Sequence, residues 1–151
     1  MRQLVFLMHL YLFAICAADG QTVSKNISKD IDTSKTYLFY LHGQITIVHG
    51  KGISQYFGVY EYQSILDTFA SYGYKVISEA RRINADDDVY SVKVSRQIDT
   101  LLKAGVNPLK ICVVGASAGA YITMDIAIRV KNKKIKYAIL GMCEPDTLKA
   151  T

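Results

Sequence analysis

Outside its first eighteen residues the chain has no apolar run of the eighteen or more residues that a membrane-spanning helix requires, so no helical bilayer anchor is expected there. Histidine is scarce: only His9, His42 and His49 occur, so any chemistry needing an imidazole late in the chain is excluded. Cysteine is limited to Cys16, Cys112 and Cys143, which rules out a disulfide framework and permits one pair at most. No internal repeat is present. The net charge of +5 comes partly from Arg129, Lys131, Lys133, Lys134 and Lys136, and no aromatic residue is interleaved with them. Single-strand nucleic-acid binding wants stacking aromatics among its cations, so these residues read instead as a solvated face that complements a helix C-terminal dipole.

What is present points to one globular domain. At 151 residues, 50% hydrophobic and 21% charged, the chain can bury a single core. Residues 1 to 18 stand apart, with Arg2 as a short positive region, an apolar stretch from Leu4 to Cys16 broken by His9, and small residues before Asp19. This pattern predicts a secretory signal peptide and a secreted or periplasmic protein, with lipid attachment at Cys16 as the alternative. Cleavage leaves Cys112 and Cys143 in an oxidising compartment, where they either pair or, in the case of Cys112, fill a core position. Residues 19 to 35 read as a polar lead-in, and residues 36 to 151 as the folded domain.

Within that domain strand and helix patterns alternate. Thr36 to Leu41, Tyr74 to Ser78, Ile111 to Val114 and Tyr137 to Met142 are β-rich apolar runs. Between them Tyr62, Ile65, Leu66 and Phe69 recur at helical spacing before Gly73, and Val94, Ile98, Leu101 and Leu102 do so before Gly105. Ala118 to Val130 supplies a third helix. Strand and helix in alternation predict an α/β fold, with a mostly parallel sheet covered by helices on both faces. Asp86, Asp87 and Asp88 precede a helix, where carboxylates cap free N–H groups more readily than they hold a cation. The run from Tyr56 to Tyr62 either walls a pocket or packs the start of a helix. Arg81 and Arg82 follow a strand and either hold an anionic substrate group or are solvated. No metal or cofactor motif is found.

The third strand runs into Gly115-Ala116-Ser117-Ala118-Gly119 and then a helix, which is the sequence form of a nucleophile elbow. The turn from strand to helix is so sharp that side chains two before and two after the serine collide with neighbouring backbone. Ser117 is therefore expected at the apex, backbone strained and hydroxyl projecting. No Lys-Ser or Lys-Thr follows Gly119, which argues against a phosphate-cradling loop.

Together with Leu38-Phe39-Tyr40-Leu41-His42-Gly43-Gln44, this elbow and the element order resemble the α/β-hydrolase fold over about residues 36 to 146, from its third strand to its sixth. The resemblance implies a serine hydrolase acting on a small-molecule ester or acyl substrate, with no cofactor. Ser117 would be the nucleophile and the Ala118 N–H one oxyanion donor, the second coming from Gln44 or Gly43. Glu144 and Asp146 stand where the family can place its acid. The family's histidine follows its serine, whereas His42 and His49 both precede it. His42 is expected to shape the loop rather than act as base.

Two expectations follow from what the resemblance leaves out. The chain reads as an α/β-hydrolase-like core lacking its last strands, with a partner or a missing C-terminal segment covering the strand that begins at Tyr137. The rival functions are a non-catalytic binding module of the same fold, favoured by the absent late histidine, and a nucleotide- or phosphate-binding domain using the helix start at Gly119.

Overall fold

Thr36–Leu41 is apolar at nearly every position, as a strand buried on both faces must be, and it forms the centre of the molecule. The computed structural model describes residues 23–55 and 58–141; the expected signal peptide, Glu144 and Asp146 lie outside the described residues. In chain order the elements are β1 (Val23–Ser24), β2 (Thr36–Leu41), β3 (Gly52–Ser54), β4 (Gly58–Tyr60), α1 (Tyr62–Ser71), β5 (Tyr74–Ser78), α2 (Asp87–Lys103), a 3-10 turn (Pro108–Lys110), β6 (Ile111–Ala116), α3 (Ala118–Val130) and β7 (Lys136–Leu140). The fold is α/β. Five strands form one parallel sheet in the order β1-β5-β2-β6-β7, and β3 and β4 form a separate antiparallel hairpin.

Successive side chains of a strand point to opposite faces. Tyr37, Phe39 and Leu41 of β2 accordingly meet Val94, Ile98 and Leu101 of α2 and Ile122 and Ile126 of α3 on one face. Leu38 and Tyr40 meet Tyr62, Leu66 and Ala70 of α1 on the other. Helices thus cover both faces. Each fully buried Leu or Ile contributes roughly 1.5–3 kcal/mol, so these two clusters dominate the stability.

Local chemistry sets the helix ends. The Asp86 carboxylate accepts from Asp88 N–H at 2.9 Å and Val89 N–H at 3.2 Å, capping α2, and Gly105 beyond its end adopts φ +90°. Among the described residues no group of three His, Cys, Asp or Glu side chains is arranged to hold a metal ion, and no helix is long and apolar enough to cross a membrane.

Three features depart from the sequence reading. Val23 and Ser24, in the polar stretch before β2, pair with Val76 and Ile77 as a short margin strand, and Ile27 and Ile31 pack against the core. The Gly58–Tyr60 segment is a strand, and Tyr60 Oη lies 2.6 Å from Tyr40 Oη, so this stretch packs against the sheet. Finally, the near-continuous apolar run from Tyr137 to Met142 predicts a strand buried on both faces, and β7 is not. Ile139 and Leu140 are 46% and 51% exposed, because β7 lies at the sheet margin and pairs only with β6 among the described residues.

The topology also fixes where a ligand can sit. The chain leaves β2 through α1 on one face and reaches β5 on one side of β2; it leaves β6 through α3 on the opposite face and reaches β7 on the other side. Connections that diverge in this way open a crevice beyond the strands' carboxyl ends. The turns after β2 and β6 flank it.

Candidate active site

Backbone register brings the two turns together. Leu41 pairs with Gly115, so His42-Gly43-Gln44 emerges beside Ala116-Ser117-Ala118. A Cβ placed on Gly43 would stand 3.3 Å from Ser117 Cβ and 3.8 Å from Ser117 Oγ.

Ser117 has φ +52° and ψ −118°, a conformation that a residue with a Cβ rarely adopts. Such strain costs on the order of 1–3 kcal/mol. Two hydrogen bonds hold the turn, Ser117 N–H to Leu140 O and Ala120 N–H to Ser117 O, each 2.8 Å. At about 1 kcal/mol apiece they offset much of the cost, and burial of Ile122 and Ile126 in α3 covers the remainder. The flanking glycines make the turn possible. A Cβ on Gly119 would lie 2.0 Å from Leu41 O, and one on Gly115 would lie 2.1 Å from Gly119 O and 2.2 Å from Thr123 Oγ1. No side chain fits at either position.

Serine preceding a helix ordinarily accepts a hydrogen bond from the first turn. Ser117 makes no such bond, and it is exposed. Among the described residues its hydroxyl has no capping partner, and the Ala118 and Gly119 N–H groups that open α3 have no acceptor inside the helix, whereas Ala120 N–H is taken by Ser117 O. A developing negative charge beside Ser117 meets those donors and the positive end of the α3 dipole.

His42 is the opposite case. It is buried, its Nδ1 lies 2.6 Å from Gly43 O, and its Nε2 accepts the Arg81 N–H at 2.8 Å. That pattern requires the neutral ring with its proton on Nδ1. Burial, reinforced by the Arg81 charge and opposed by the bond to Gly43 O, lowers its pKa to about 4. Tyr62 packs edge-on against the ring at 5.3 Å between centroids. His42 shapes the loop, and neither ring nitrogen is free to serve Ser117. His49 is exposed at φ +49° in the turn closed by Val48 and Lys51.

A cleft of about 80 Å³ opens beside Ala118, lined by His42, Gly43, Gln44, Arg82 and Asn84 among others. Gln44 is exposed, its Nε2 3.3 Å from Asn84 Oδ1. A larger cavity of about 390 Å³ lies elsewhere, between the 24–32 segment and β5, and Ser117 does not line it. We regard the smaller cleft as the candidate site because it reaches Ala118 at the helix start and the His42–Gln44 turn, although Ser117 itself does not line it either. Ser117, Ala118, Gly43, Gln44, Gly115, Gly119 and His42 thus converge at one end of the sheet.

Arg81 is the residue whose role the sequence did not disclose. It is 6% exposed rather than solvated, its guanidinium bonded to His42 O and to Asp87 at 3.2 Å. A strand end followed by two arginines was the only signal, and it does not say which of them turns inward. No protein-family model, curated protein or solved structure matches the chain.

Proposed function

We propose that this chain carries the nucleophile and oxyanion-binding half of a serine hydrolase site acting on an ester or other acyl bond of a small molecule. One observation carries the reading: Ser117 sits at a strained strand-to-helix apex with its hydroxyl exposed and uncapped, between two glycines whose Cβ positions are already occupied. A serine that merely packed or capped would have no reason to hold such a conformation.

In this reading Ser117 Oγ bonds to the acyl carbon while the carbonyl oxygen gains negative charge. Ala118 N–H and a backbone N–H of Gly43 or Gln44 receive that charge. The hydroxyl proton passes to water, since His42 has both ring nitrogens engaged, and the carbon–oxygen bond to the alcohol breaks as the adduct collapses. Turnover by the described residues alone is therefore expected to be slow, resting on the residual acceleration that oxyanion stabilisation and binding supply. Residues 1 to 18 enter the same proposal as an export signal, and the exported protein is expected to begin near Asp19 by intact mass.

The engaged ring of His42 also favours a second reading, a module that binds acyl compounds without cleaving them. Hydrolysis of a short-chain nitrophenyl ester by the purified protein separates the two. Loss of hydrolysis in Ser117→Ala, with an unchanged thermal melt, supports the hydrolase; equal hydrolysis by both proteins removes Ser117 as nucleophile.

A further inference from the structure

Arg81 occupies a position that the nucleophile reading leaves unexplained. Its guanidinium lies almost wholly within the protein, bonded to the His42 carbonyl through Nη2 and to Asp87 Oδ1 through Nη1 at 3.2 Å, and stacked 5.7 Å from the Tyr90 ring centroid. Its own N–H donates to His42 Nε2 at 2.8 Å. Burying an arginine is costly unless its donors are well used. Among the described residues Nε has no partner, so the remaining bonds are retained at the expense of an unsatisfied donor. Two of the bonds converge on one residue, His42.

The consequence follows from peptide planarity. In a trans peptide the C=O of one residue and the N–H of the next point in opposite directions, so fixing one fixes the other. Arg81 holds the His42 C=O, which fixes the direction of the Gly43 N–H. The Gly43 C=O accepts from His42 Nδ1 at 2.6 Å and from Ile45 N–H at 2.9 Å, which fixes the direction of the Gln44 N–H. Both peptide planes that can supply the second oxyanion donor are thus pinned through His42.

We propose that Arg81, anchored by Asp87, is a positioning residue that sets the backbone N–H groups of Gly43 and Gln44 beside Ser117 by holding the His42 carbonyl with its guanidinium and the His42 ring with its own N–H. The proposal rests on the serine-hydrolase reading for its purpose, but the clamp itself can be tested without catalysis. A positioned donor typically accounts for 100- to 1,000-fold in rate, and one left in place but loosely held costs less.

Two measurements on the full chain decide it. The first is the rate constant for modification of Ser117 by a small alkyl fluorophosphonate, separated into binding and maximal rate. In Arg81→Met the maximal rate is expected to fall on the order of 10- to 100-fold with apparent binding changed less than about two-fold, and Arg81→Lys, which restores one donor, to recover part of it. Asp87→Asn is expected to give a smaller fall. A maximal rate in Arg81→Met within two-fold of the parent overturns the proposal. Should Arg81→Met fail to fold, Arg81→Lys and Asp87→Asn decide in the same way. The second measurement is amide hydrogen exchange at Ile45, whose N–H is bonded to Gly43 O, and at Arg81, whose N–H is bonded to His42 Nε2, expected to quicken at least about ten-fold in the folded variants relative to the β2 amides; unchanged exchange overturns the clamp. A parent protein unreactive at Ser117 but showing the exchange change would refute the hydrolase reading and leave the clamp standing.

Discussion

The turn after β2 and the turn after β6 face each other at one end of the sheet, and they are fixed by opposite means. At the first, side chains do the holding: His42 and Arg81 spend their hydrogen bonds on backbone, and the backbone N–H groups of Gly43 and Gln44 are left as the available chemistry. At the second, shape does the holding. Gly115 and Gly119 let β6, α3 and β2 approach until no Cβ fits, and the Ser117 side chain is left with nothing structural to do. A site that must offer both a free hydroxyl and oriented amides needs one turn of each kind. Their pairing at a topological switch point is what makes this end of the sheet a candidate site.

Substituting a glycine at each turn gives the largest test of this contrast. In Gly119→Ala the new methyl meets Leu41 O at 2.0 Å and His42 O at 2.9 Å, both backbone, so relief requires moving α3 off the sheet. We expect a loss of about 3 kcal/mol or more in urea unfolding. In Gly43→Ala the nearest atoms are at 3.3 and 3.4 Å, and small shifts suffice. A loss under about 1 kcal/mol is expected there, and similar losses in the two variants would break the distinction.

The next effect belongs to His42 alone. Its folded-state pKa of about 4 lies below the ordinary value of 6.5, so the unfolded chain takes up the proton first. The stabilisation is complete above pH 6.5 and is lost as pH falls towards 4, by up to about 3 kcal/mol. Urea midpoints measured from pH 7 to 4 are expected to fall over this window, and His42→Gln to flatten the fall. Replacing Ser117 should leave the pH profile unchanged.

Smaller effects are expected at Ser117. Ser117→Gly relieves a positive φ and is expected to stabilise by about 1 kcal/mol, whereas Ser117→Ala keeps the strain and stays within about 0.5 kcal/mol of the parent. A destabilised Ser117→Ala would mean that the hydroxyl has a structural role, contrary to the contrast drawn above.

These two turns were also unequally legible in the sequence. The elbow is local: five consecutive residues between an apolar strand and an amphipathic helix announce it, and α3 spans Ala118–Val130 as its pattern predicts. The same holds for β2, β5 and β6, whose cores are continuous apolar runs. The clamp on His42 is not local, since it joins His42 to Arg81 across 39 residues, and the order β5-β2-β6 that brings them together is a property of the sheet. Nor was the β3–β4 hairpin legible. Its strands are three residues each, and Ile53 and Val59 point to solvent, so neither strand carries the alternation of a half-buried sheet. Val23–Ser24 is illegible in the sequence for a similar reason, because two residues in a polar stretch carry no period.

Covalent labelling bears most directly on the central claim that Ser117 is a nucleophile served by backbone donors. The purified protein would be treated with an alkyl fluorophosphonate, digested, and the modified peptide sequenced by mass spectrometry beside Ser117→Ala. We predict a single adduct on Ser117, with none on the variant and none on the other exposed serines. Labelling spread over several serines, or undiminished in Ser117→Ala, would contradict the account.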